Sequence, residues 1–400
     1  MRWRGVLAVT AVATVVLAVP VPAGAAVVCQ RQEAPGPVAA GVPVEDQVYA
    51  PKRLAGFATG KGVRVAVIDS GVDAAHPQLR GHVAPGADFL HGDDNARQDC
   101  KGHGTAVASI IGAMPARNTG FQGLAPDAAI LPFRITEQEV IDGKAVGDKG
   151  SPAQFAQAID LAVDQGADVI NISLVMTSDN AAVRASVARA VRAGVVVVAA
   201  AGNDGQKGNP DPFPAKYPGV IGVGAVGADG TVATYSQRGE YVDLVAIGND
   251  VTGADAGGPG HRRQSGTSFA APFVAATAAL IKQRFPQLSP GEVRQRLIAT
   301  TDPAPGGSVS AEYGFGLLNP YRAVTDTLGP RQQAQPAPES MTVDDPAAAA
   351  LAARRAGSRD RALLFAAVVT GIVVLLALTA VIVRQGRRRG WHPATSHTTD

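Results

Sequence analysis

The chain has 400 residues, 46% of them hydrophobic and 18% charged, and a formal net charge of +2. That length and apolar content fit one large globular domain with appendages. Residues 27–383 carry 30 basic against 33 acidic side chains, and so slightly acidic a body sets nucleic acid aside as a partner.

Residues 1–26 begin with Arg2 and Arg4, continue through an apolar run and end at Pro22-Ala23-Gly24-Ala25-Ala26. A basic start, an apolar centre and a small-residue end predict a signal peptide, so the mature chain is exported. Val27 and Val28 precede Cys29 where lipoprotein processing needs small residues, which argues against lipid attachment there. Residues 27–50 are a short N-terminal extension.

Between 51 and 327, short β-branched runs alternate with longer helical patterns, which predicts an α/β fold with a parallel sheet covered by helices on both faces. Strands are predicted at 63–69, 129–133, 168–174, 194–201, 219–226 and 241–246, and helices at 104–113, 152–165, 180–193, 267–285 and 289–300. The run Val195–Ala201 has no polar alternation and is expected at the centre of the sheet. Ser289 and Pro290 open the last helix as its cap and first residue. Residues 136–151 form a polar insertion between a strand and a helix, expected as a mobile surface loop.

A Pro/Ala-rich linker spans 328–361. Residues 362–383 follow, 22 positions without a charge, long enough to cross about 30 Å of hydrocarbon as a helix. Arg384, Arg387, Arg388 and Arg389 in the tail, 384–400, place that end in the cytoplasm. The expected arrangement is a single-pass cell-membrane protein, held in the lipid bilayer by 362–383 with its body outside.

The chain has two cysteines, Cys29 and Cys100. In an oxidising compartment an isolated pair is expected to form a disulfide, which would pin the extension across the domain; two unrelated thiols are the alternative. Asp93, Asp94 and Asp99 lack ligand-like spacing and read as a solvated loop, so no metal and no cofactor is expected.

Three words carry the chemistry: Val-Ala-Val-Ile-Asp-Ser-Gly at 65–71, Gly-His-Gly-Thr at 102–105, and Ser-Gly-Thr-Ser-Phe-Ala-Ala-Pro at 265–272. They present an acid, a base and a hydroxyl, each beside glycine and each at the edge of a predicted element. A serine hydroxyl is a poor nucleophile until a neutral imidazole within reach accepts its proton. That imidazole needs a carboxylate on its other nitrogen to fix the tautomer and stabilise the cation. Asp69, His103 and Ser268 are the residues for these roles, with Asp69 at the carboxyl end of a strand and Ser268 at the start of an Ala-rich helix. Asn203, after the central strand, is the expected side-chain donor to an oxyanion.

In this order the words resemble the subtilisin-like serine proteases, the arrangement that general accounts of the Ser-His-Asp triad use as an example. Gly123-Leu-Ala-Pro126, Val169-Ile-Asn-Ile-Ser-Leu174, Ala199-Ala-Ala-Gly-Asn203 and Lys216-Tyr-Pro-Gly219 share the resemblance, which runs across nearly all of 50–325. It implies a three-layer α/β/α sandwich around a mostly parallel, seven-stranded sheet, with Asp69, His103 and Ser268 as triad and Asn203 at the oxyanion hole. It also implies a substrate cleft edged by Ser173, Leu174 and Val175 and by Ala200, Ala201 and Gly202, against which an extended polypeptide pairs as an added strand. Val175 stands where many relatives have glycine, which is expected to narrow or reshape the cleft. Ala106 and Ser109 also depart from the usual motif.

The signal peptide, cysteine-bearing extension, Pro-rich stalk and apolar C-terminal run most resemble the mycosins, membrane-anchored subtilases of type VII secretion systems. The implied partners are polypeptide substrates and the membrane complex of that system. A general surface subtilase and a non-enzymatic assembly subunit remain alternatives at this stage.

Overall fold

The computed structural model describes residue 29 and residues 34–92, 95–141, 144–307, 309–329, 383–385 and 388. The signal peptide, Asp93 and Asp94, nearly all of the linker, the apolar run but for Val383, and most of the tail lie outside the described residues. The chain divides into two compact units, 1–335 and 336–400. In the second, residues 383–385 and 388 are helical and exposed; among the described residues no helix is long and apolar enough to cross a membrane.

Among the described residues of the first unit, the first helices are two short ones, α1 (Val44–Tyr49) and α2 (Pro51–Leu54). There follow β1 (Arg64–Asp69), β2 (Ala87–Asp88), α3 (His103–Gly112), β3 (Ala129–Arg134), β4 (Glu139–Ile141), β5 (Lys144–Val146) and α4 (Pro152–Asp164). Next come β6 (Val169–Ile172), α5 (Ala181–Arg192), β7 (Val196–Ala200), β8 (Val220–Val226), β9 (Leu244–Ile247), β10 (Val251–Ala254) and β11 (His261–Gln264). Helices α6 (Thr267–Arg284), α7 (Pro290–Ala299) and α8 (Pro320–Thr325) follow. Seven strands form one sheet in the order β2-β3-β1-β6-β7-β8-β9, every pairing parallel.

Strand periodicity explains the three layers. Val65 and Val67 of β1 and Val196, Val198 and Ala200 of β7 enter one apolar core with α3 and α6. Their neighbours Ala66, Ile68, Val197 and Ala199 point the other way, into a second core with α4 and α5. Both faces being covered, the strands read as continuous apolar runs, the signal that predicted a parallel sheet. The helix starts follow local chemistry: Ser151 with Gln154 and Ser289 with Glu292 form capping boxes ahead of Pro152 and Pro290, and Asn180 caps α5.

The chain leaves β1 toward β2 and β3 on one side and returns as β6 on the other, so the carboxyl end of β1 is a topological switch point. Such points leave a crevice between diverging connections. Asp69 is the residue that ends β1 there.

Two expectations are corrected. The 136–151 insertion is not loop throughout: it contains an antiparallel hairpin in which 139–141 of β4 pair with 144–146 of β5. Asp99 belongs to no solvated loop: it is 1% exposed and its carboxylate accepts several hydrogen bonds.

The Cys29–Cys100 disulfide is formed, and the extension it anchors is part of the fold. Gly36 N–H donates to Asp255, Ala39 N–H to His261 Nδ1, and Gly120 N–H to the Ala39 carbonyl. From the domain side, Ile247 N–H donates to Tyr49 Oη, whose ring lies 4.9 Å from that of Phe273, and Thr252 N–H donates to Glu45. Gln122 N–H donates to the buried Asp46 carboxylate. Burial, aided by neighbouring Glu45 and opposed by the Gln122 bond and Lys52, pushes Asp46 up to about 7.

An acid whose pKa is raised on folding keeps its proton longer in the folded chain, so this group contributes stability below the unfolded value and loses it as pH rises through about 7. Asp46→Asn, which keeps an oxygen for Gln122, is expected to stabilise the protein at pH 8 and to lose that advantage by pH 4, read by chemical denaturation at both. An advantage that does not change with pH would contradict the buried charge.

Candidate active site

Asp69 at the end of β1, His103 at the first position of α3 and Ser268 at the second position of α6 converge across the crevice. Asp69 Oδ1 lies 2.7 Å from His103 Nδ1, and His103 Nε2 lies 3.0 Å from Ser268 Oγ. A carboxylate can only accept, so Nδ1 carries the proton; the neutral ring then leaves Nε2 bare to accept from the serine hydroxyl. Asp69 is 1% exposed and also accepts from Ser70 N–H at 2.8 Å. The imidazole side chain is 35% exposed, with the Phe269 ring 4.9 Å from its centroid.

Glycine permits this convergence at two positions. Gly102 caps α3 with φ 81°, a left-handed turn that aims the helix start at β1. Gly104 lets α3 approach the loop after β1: a Cβ there would lie 2.1 Å from the Gly71 carbonyl oxygen and 3.2 Å from Asp69 Oδ1.

Ser268 is held from below. Pro272 lies inside α6 and has no N–H to donate to the carbonyl four residues earlier, that of Ser268. Ser173 Oγ takes this acceptor at 2.9 Å, and Asn171 Nδ2 in turn donates to Ser173 Oγ at 2.9 Å. The Asn-Ile-Ser word at the end of β6 thus completes the hydrogen bonding that the Ser-Phe-Ala-Ala-Pro word leaves open.

Asn203 is oriented by Thr267, whose N–H and hydroxyl both lie 2.9 Å from Asn203 Oδ1. Its Nδ2 therefore turns to the other side. A Cβ on Gly266 would lie 2.9 Å from Ser268 Oγ and 3.2 Å from Asn203 Nδ2, so the two face a shared space that only glycine leaves empty. This amide donor and the start of α6 both favour negative charge beside the Ser268 hydroxyl.

Ser173 is buried, while Leu174 and Val175 are half-buried beyond the end of β6. Ala200 ends β7. The N–H groups of Ala201 and Gly202 are already bonded to Val223 O and Thr267 Oγ1, and Gly202 O accepts from Gln237 N–H. Three backbone groups of the 200–202 segment, the Ala201 and Gly202 N–H and the Gly202 carbonyl, are thus engaged inside the protein.

Sequence reasoning missed the residues that hold this site. Ser70, Asp99, Thr105 and Thr267 all lie within or just outside the three words, and their hydrogen-bonding side chains were the available signal; Phe269, in the third word, contributes only its ring against His103. Arg134 is fully buried; it donates to the Ser70 and Gln98 carbonyls and pairs with Asp88. Nothing in its strand pattern marks it.

The profile of the Subtilase family, Peptidase_S8, matches residues 60–316. Mycosin-1 of Mycobacterium tuberculosis H37Rv is 37% identical over 326 residues, spanning 70% of this chain and 72% of its own. Subtilisin of Bacillus pumilus is 37% identical over 275 residues, 68% of this chain and 94% of its own. Among solved structures, the serine protease MycP1, described as an essential component of the type VII (ESX-1) secretion system, aligns with a TM-score of 0.62 at 34% identity. That alignment covers 74% of this chain and 94% of MycP1.

Replacing glycine by alanine within a helix ordinarily stabilises by up to about 1 kcal/mol. Gly104→Ala is expected to do the reverse, because its Cβ meets the backbone of Gly71. Denaturant unfolding of the variant measures the sign, and a stabilised protein would contradict the close approach.

Proposed function

The chain belongs to the subtilase family and is a serine protease of it, and from that premise we propose that Asp69, His103 and Ser268 are its catalytic triad and Asn203 its oxyanion donor. The observation that carries this reading is the unbroken hydrogen-bonded line from Asp69 through His103 to Ser268. Ser268 Oγ attacks the scissile carbonyl as His103 Nε2 takes its proton. Asp69 stabilises the imidazolium, and Asn203 Nδ2 with the amides at the start of α6 receives the oxyanion. Collapse breaks the C–N bond, His103 returns the proton to the departing amine, and the acyl group stays on Ser268. Water, activated by the same imidazole, then attacks the ester and frees the serine.

The substrate in this reading is an extended polypeptide. Its backbone pairs with 173–175, while 200–202 walls the opposite side and Val175 narrows the entrance. The chain is a membrane-anchored mycosin acting on secreted proteins at the outer face of a type VII secretion complex. Supporting this are its similarity to Mycosin-1 and MycP1, the disulfide-tied extension, the signal pattern at 1–26 and the charge-free run at 362–383 followed by arginines.

Fluorophosphonate labelling of the full chain tests the triad. Wild type is expected to label covalently and both Ser268→Ala and His103→Ala to lose labelling; a folded wild type that does not label would contradict it. In cells, a Ser268→Ala strain is expected to export at least one protein uncleaved. Identical lengths of all exported proteins in the two strains would contradict a processing role.

A further inference from the structure

Asp99 is a buried carboxylate that the reaction as described does not use. Its Oδ1 accepts from Ser70 Oγ at 2.9 Å, Lys101 N–H at 3.0 Å and Gly102 N–H at 2.9 Å. Its Oδ2 accepts from Thr105 N–H at 2.8 Å and Thr105 Oγ1 at 2.7 Å. Three of the five donors are backbone N–H groups that cannot reverse their role, and together they favour the ionised form. Burial and the neighbouring Asp69 work against it, raising the pKa.

The donors come from two places that matter separately. Gly102 and Thr105 flank His103, so Oδ1 and Oδ2 grip the first turn of α3 on either side of the imidazole-bearing residue. Ser70 follows Asp69 directly; its N–H donates to Asp69 Oδ1 and its hydroxyl accepts from Gly104 N–H at 2.9 Å. A residue that merely capped the helix would have no need of Ser70.

We propose that Asp99 is a positioning residue for the Asp69–His103 pair, one carboxylate tying the segment that carries the acid to the helix start that carries the base. It touches neither substrate nor the reacting atoms and acts through Ser70 and the α3 backbone. Besides Lys101 on its own segment, the charged groups in the same hydrogen-bonded cluster are Asp69, through Ser70, and Arg134, which donates to Ser70 O and Gln98 O. The inference rests on the triad reading above. Misplacing a catalytic group by a fraction of an ångström costs rate rather than affinity.

The test is the pH dependence of fluorophosphonate labelling in the full chain, comparing wild type, Asp99→Asn and Ser70→Ala. Asp99→Asn turns an N–H₂ toward groups that need an acceptor; Ser70→Ala removes the tie to the acid while leaving the Asp99 bonds to Gly102 and Thr105. Both are expected to slow labelling at saturating probe by about tenfold or more, with half-saturation unchanged within twofold. The acid limb should also move to lower pH, because a less well-supported imidazolium gives up its proton more easily. An unlabelled wild type would sink the triad reading and this inference with it. A labelled wild type with both variants at its rate and acid limb would overturn this inference alone. Should Asp99→Asn fail to fold, Ser70→Ala decides by the same criteria.

Discussion

An imidazole can draw a proton from a hydroxyl only while its other nitrogen is held as a donor, and the 2.7 Å bond between Asp69 and His103 Nδ1 imposes that constraint here. Much of the fold serves it. The carboxylate must sit at the end of a central strand, where the chain reverses direction across the sheet and a crevice opens. The helix bearing His103 must come close enough that its second residue can only be glycine. The loop between them is fixed by buried charge on both sides, Asp99 accepting from its hydroxyl and amide groups and Arg134 donating to its carbonyls.

The placement of Ser268 depends on a second constraint of different origin. Helix α6 is buried on nearly every side and packs against β6 through β9 and α3, so its position is set by the apolar core. Its alanines let the sheet and neighbouring helices come near. Proline inside such a helix would ordinarily leave a buried carbonyl unpaired, at a cost of about 1–3 kcal/mol. Here the freed carbonyl is that of Ser268, and Ser173 satisfies it. The bond ties the start of α6 to the end of β6, and Thr267 ties it to Asn203 and Gly202. The Ser268 hydroxyl, the Asn203 amide and the Gly202 backbone are thus fixed relative to one another by bonds within the protein, which in the proposed reading is the preorganisation that makes electrostatic stabilisation effective.

Much of this was legible in the residues. The strands and helices of the main layers follow from uninterrupted apolar runs and from caps such as Ser289 with Pro290, because local chemistry and burial agree there. The short pieces escaped: β2 has two residues, and the hairpins β4–β5 and β10–β11 and helices α1, α2 and α8 are too brief to carry a period. Asp99 was misread because a carboxylate near other acidic residues looks like solvated surface until its donors, supplied mostly by backbone, are known. Backbone donors leave no trace in a sequence. The same holds for Gly202, whose amide is committed to a threonine 65 residues later. The disulfide was readable from the cysteine count; the many hydrogen bonds that bind the extension to β10, β11 and the 119–122 segment were not.

The most direct test of this account is the protonation of the His103 ring in the resting protein. In the full chain with ¹⁵N-labelled histidine, assigned by loss of the signals in His103→Gln, the account predicts at neutral pH a ring protonated on Nδ1 and bare on Nε2. Asp69→Asn should disturb that tautomer. A resting ring that carries its proton on Nε2 would contradict it, since His103 could then accept nothing from Ser268.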